Sequence, residues 1–135
     1  MRDRIKLTRK VALKFLEVGA ARWPKETLIY LDPPYYVKGR DLYHDFHDQK
    51  DHSGVAEFVM TGINRQRWIV SYDNVPPIPA LYKGARHVIY SIGYSARSAS
   101  QGSEVMFFCD GLTVPPLIGP IQITEDHAGM LQRLA

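Results

Sequence analysis

Asp32-Pro33-Pro34-Tyr35-Tyr36 are the residues whose types and spacing best suit chemistry, and they directly follow the apolar run at 28–31. At neutral pH the Asp32 carboxylate only accepts hydrogen bonds, and Pro33 offers a carbonyl but no N–H, so it too only accepts. Each proline fixes its own φ, and a residue before proline is held out of the helical region. The result is a stiff pair of acceptors followed by the aromatic face of Tyr35. A planar aromatic amine fits that set: its two N–H groups meet the carboxylate and the carbonyl while its ring stacks on Tyr35. Acceptors outside the ring plane favour a more tetrahedral nitrogen and aim its lone pair at an electrophile. Positive charge grows on that nitrogen as it attacks, so fixed acceptors bind the transition state better than the ground state. Stiffness counts, because a misplacement of about 1 Å can cost on the order of a hundredfold in rate.

The elements that must hold this segment follow from the pattern around it. Leu28 to Leu31 show almost no polar alternation, as expected of a strand buried on both faces. The proline pair ends it, since neither proline can donate to a ladder. Upstream, residues 4–8 (RIKLT) alternate and predict a short strand, and residues 10–22 carry the helical stripe Val11, Leu13, Phe15, Leu16 and Val18, with Gly19 loosening or ending it before Trp23-Pro24. Downstream, Val55, Phe58, Val59 and Ile63 predict a helix over 51–64, and 68–72 (WIVSY) a strand that delivers Ser71, Tyr72 and Asp73 to its end. Pro79 to Tyr82 read as one helical turn. Strands at 87–94 and 104–109, joined by a polar loop, predict an antiparallel hairpin. The tail from 111 is the least legible part, with a short helix expected near 125–134. The order predicts one α/β domain over 1–135, three layers around a mostly parallel, Rossmann-like sheet with a C-terminal antiparallel hairpin. In such sheets ligands collect at the carboxyl ends of strands, where Asp32 and Asp73 both fall.

Size and composition set the outer bounds. The 135 residues suffice for one core, and 45% hydrophobic with 23% charged residues is ordinary globular usage. No apolar run approaches the roughly 20 residues that span a bilayer, and the charged N-terminus lacks a signal-like apolar stretch. The single Cys109 cannot form an internal disulfide, which fits a cytoplasmic location and a structural thiol. A net charge of +3 permits a polyanionic partner without requiring one. His44, His47 and His52 stand among several aspartates, but their spacing matches no zinc pattern, so no metal is assigned. Trp23, Trp68 and His87 read as structural, and His52 as the opening of a helix beside a solvated loop.

Taken together, DPPYY at 32–36, the aromatic loop ending in Phe46, Asp51-His52 at the next helix, SYDN at 71–74, PPIPALY at 76–82, YSIGYSARS and SEVMFF resemble the Dam-like DNA adenine N6-methyltransferases over residues 4–108. The resemblance implies methyl transfer from S-adenosylmethionine to the N6 amine of a flipped-out adenine in DNA. It implies that Asp32, Pro33, Pro34 and Tyr35 form the catalytic grip. Tyr36, Tyr72, Asp73 and Arg97 would line the substrate side, with Ser98 and Ser100 near the backbone and Asp32 also close to the cofactor. Related enzymes with Ser in the first place act on cytosine N4, so Asp32 points to adenine.

The departures from that family are as definite as the match. No F-x-G-x-G-like cofactor turn occurs anywhere in the chain, and no target-recognition region precedes the catalytic motif. Val11 stands where family members often place an Asp toward the cofactor's adenine. The strand at 28–31 would have paired with the missing first strand, which predicts a bare edge covered by another copy, a partner chain or the N-terminal segment. Three readings follow: a DNA adenine methyltransferase half completed by another chain; a non-catalytic remnant serving nucleic-acid binding or subunit association; or an RNA or free-base amine methyltransferase.

Overall fold

The structure is a computed structural model that describes residues 4–34, 36, 49–92, 102–115 and 122–127. In chain order its elements are α1 (Ala12–Arg22), β1 (Leu28–Leu31), α2 (Gln49–Thr61), β2 (Arg67–Asp73), α3 (Pro77–Leu81), β3 (Arg86–Ile92), β4 (Gly102–Phe108) and β5 (Gln122–His127). The strands form one mixed sheet in the order β1-β2-β4-β3-β5. The chain is thus α/β, but the sheet is not mostly parallel as expected. β1 and β2 pair parallel, while β2/β4, β3/β4 and β3/β5 all pair antiparallel. The cause is the hairpin: its return strand β4 inserts between β2 and β3 and separates two strands that run the same way.

The expected three layers are also not seen among the described residues. Leu16 and Ala20 of α1, Val55 and Val59 of α2, and Ile78 of α3 share one core with Ile29, Trp68, Val70, Tyr72, Val105 and Phe107 of the sheet. All three helices therefore cover one face. Period-two alternation sends Ile69, Val88, Met106 and Phe108 to the other face, where among the described residues they pack with Leu112 and Val114. No described helix is long and apolar enough to cross a membrane.

Two local expectations fail for physical reasons. Residues 5–11 form no strand, because no neighbouring strand offers them a ladder; Ile5 and Leu7 are exposed. In the tail, 122–127 is strand β5 along the outer edge of β3 rather than the start of a helix.

Gly19 does not end α1, which continues to Arg22. Its missing side chain instead lets the Trp23 indole lie against the helix; a Cβ there would collide with the ring. Trp23 itself is extended, at ψ 147°, as a residue before proline must be, and so stops the helix. The freed carbonyls of the last turn are met by buried Gln66, whose Nε2 donates to Ala20 O at 3.0 Å and Trp23 O at 2.8 Å. That side chain ties α1 to the turn leading into β2, which fixes where β1 emerges. Gly84 opens the turn into β3 at φ +89°, a conformation that favours glycine.

Candidate active site

Asp32 lies one residue beyond β1 and is exposed, with Pro33 and Pro34 half-buried behind it. Its carboxylate faces the side of the sheet away from α1, α2 and α3. Ser71 of β2 donates its hydroxyl to Asp32 Oδ1 at 3.0 Å. Ser71 Oγ also lies 2.9 Å from the Tyr30 hydroxyl. Since the serine proton goes to Asp32, Tyr30 must donate to Ser71. The chain Tyr30→Ser71→Asp32 thus fixes one carboxylate oxygen and leaves the other as acceptor.

Asp73 ends β2 and holds the following segment: the Tyr36 backbone N–H donates to Asp73 Oδ1 at 3.0 Å. The Tyr36 ring packs against His52 at 5.4 Å. Asp32 and Tyr36 are thereby pinned from two positions of one strand, and the prolines stiffen the span between them. Across β4, Tyr90 donates to Glu104 Oε2 at 2.8 Å. Burial, then the Glu104 carboxylate, push the Tyr90 phenol well above the usual tyrosine range, with smaller contributions from Tyr30 and Asp32 on the same face. The rim is acceptor-rich, which suits a ligand that brings donors.

Tyr72 is not at this rim, contrary to expectation. It is 3% exposed and points into the helix-side core, because successive strand residues face opposite ways. Its hydroxyl meets His52 Nδ1 at 3.2 Å. Burial raises its pKa to about 12, helped by Asp73 and opposed by Tyr82. Tyr82 is driven higher still by burial and then Tyr72, and its hydroxyl has no hydrogen-bond partner among the described residues despite that proximity. His52 lies in the opening turns of α2, as expected, but is 2% exposed and T-stacked on Tyr72 at 5.7 Å. Tyr36, half-buried, packs its ring against this aromatic group.

Tyr35 and Arg97, with Ser98, Ser100 and the loop through His44, Phe46 and His47, lie outside the described residues. Sequence reasoning missed Tyr30, Tyr90 and Glu104. The signal was present for Tyr30: two places before Asp32 on a strand, it must share that residue's face. Tyr90 and Glu104 needed the β3/β4 register, which sets them opposite each other. A cofactor-holding glycine-rich turn is not supplied by these residues: the strand ends at this rim run into Asp32-Pro33-Pro34 and Asp73-Asn74-Val75.

No protein-family model matches the chain, and no curated protein matches it.

Proposed function

We propose that the chain is the amine-gripping half of a DNA adenine N6-methyltransferase with a Rossmann-like sheet, completed by a second chain. One observation carries the reading: a carboxylate on a proline-stiffened turn stands at the carboxyl end of a strand, exposed, and aimed by a Tyr30→Ser71 relay. The free oxygen of Asp32 accepts one N6 proton donor and the Pro33 carbonyl the other. Held this way the amine nitrogen loses overlap with its ring and presents its lone pair. S-adenosylmethionine supplies the methyl group when bound, and the residues that would hold it belong to the other chain. This half contributes orientation of the amine and acceptance of its growing positive charge.

The lack of a glycine-rich turn after β1 and β2 favours a second reading, a subunit-association remnant without turnover. Two measurements decide between them. First, a single-stranded oligonucleotide with one unpaired adenine is compared with the same strand carrying purine, which lacks the amine. Adenine is expected to bind at least tenfold tighter, and Asp32→Ala to erase that preference. Equal affinity for both strands rejects the grip. Second, calorimetry with S-adenosylmethionine is expected to show no binding by this chain alone. Methyl incorporation into adenine, lost with Asp32→Ala, is expected only in the completed assembly; a grip that never supports transfer leaves the remnant.

A further inference from the structure

Every large hydrophobic side chain left exposed among the described residues lies between Ile5 and Tyr30. These include Val11 just before α1, Phe15 and Val18 on it, and on β1 Leu28 and Tyr30, the last two more than half exposed. Between α1 and β1 runs a groove of about 300 Å³, lined by Ala12, Phe15, Leu16, Trp23 and the strand itself. A second hollow shares Phe15 and Trp23 with it and is rimmed by Lys10, Lys14 and Arg22.

Among the described residues β1 is the terminal strand of the sheet, with β2 on one side only. Its sequence, LIYL, has none of the charges, prolines or bulges by which natural proteins blunt an edge. An open row of backbone donors and acceptors therefore borders an apolar groove, the geometry that an added strand fills.

Charge selects the occupant. Residues 4–25 carry seven cations against one acid, Glu17. A second copy would bring the same cations to the same place, and the chain's own N-terminal segment carries four of them. A nucleic acid matches the charge but has neither a peptide backbone for the edge nor aliphatic groups for the groove. We propose that this flank receives an acidic, strand-forming segment of a different polypeptide, which adds to the free edge of β1 and seats alternate apolar side chains between α1 and β1. The inference rests on the edge, the groove and the charge, and not on methyl transfer.

The test uses the full isotope-labelled chain and a synthetic peptide of about 12 residues alternating valine and glutamate. Its counterpart has lysine for glutamate. The acidic peptide is expected to shift amide signals of 28–31 and of α1, with affinity that falls as salt rises. The combined change Lys10→Glu, Lys14→Glu and Arg22→Glu is expected to weaken it at least tenfold, and Leu28→Lys to do the same from the strand. Four results overturn the proposal: no shift with the acidic peptide at millimolar concentration; an equal response to the lysine peptide; stronger shifts at the same amides with an oligonucleotide; or a dimer in sedimentation that Leu28→Lys dissolves. The two peptide arms use the unaltered chain, so they hold even where a variant folds poorly.

Discussion

Ser71 is the residue on which the candidate site turns. Its hydroxyl accepts a hydrogen bond from Tyr30 and donates one to Asp32, so it aims the carboxylate. A hydrogen bond to a charged group contributes about 1.5–3 kcal/mol, and an orienting bond acts on geometry as well. Ser71→Ala is therefore expected to cut the adenine-over-purine preference about tenfold, with Ser71→Thr restoring most of it. The fold should be untouched, as circular dichroism and unfolding curves can check. Tyr30→Phe is expected to act in the same direction and more weakly, since it leaves the Ser71 bond to Asp32 in place. That Asp32 stands exposed at the end of a strand, on a proline-stiffened segment, was legible in its neighbours, because proline stiffness and acceptor-only groups are properties of residue types. That Tyr72 could not serve beside it was a matter of parity: Ser71 and Tyr72 are adjacent in sequence and opposite in direction.

At the scale of elements, the helices and β1 to β4 follow from periodicity and breakers, whereas their arrangement does not. Pro33-Pro34 and Trp23-Pro24 mark their boundaries because proline's constraint is local. The position of β4 between β2 and β3 is a long-range pairing that local patterns leave open, and so the parallel expectation failed. The alternation at 4–8 was real, but a strand pattern without a neighbour has no ladder to join. Gln66 shows the same limit. Nothing marks a glutamine in a turn as structural until its two acceptors on α1 are known. Gln66→Ala leaves those carbonyls unmet and is expected to destabilise the fold by about 1–3 kcal/mol. A shift in the denaturant midpoint without a change in slope would report it. Since α1 is anchored there, amide protection at its C-terminal turn should fall more than at α2.

For the whole molecule, the helix-side core is built around phenols. Tyr72 and Tyr82 are packed with Phe107 in one ring-to-ring series, and Tyr90 lies nearly buried on the other face. All three have folded-state pKa values raised above the usual 10, chiefly by burial. Each is neutral in the fold and ionises more easily once unfolded. Their contribution is thus complete below pH 10 and declines as pH rises through the folded values, beginning with Tyr72 between 10 and about 12. Unfolding free energy is expected to be flat from pH 7 to 9 and to drop by on the order of 2–3 kcal/mol for Tyr72 alone as pH passes 12. Denaturant titrations at stepped pH measure it. Tyr72→Phe should flatten the slope, while costing its bond to His52 at every pH.

Among the described residues β1 is held by a single neighbour over four paired positions, and Asp32 follows its last residue. Opening of that short ladder and loss of aim in the carboxylate are one event. On the two proposals made above, a strand added from outside sharpens the grip, and an amine seated in the grip makes the strand easier to clamp.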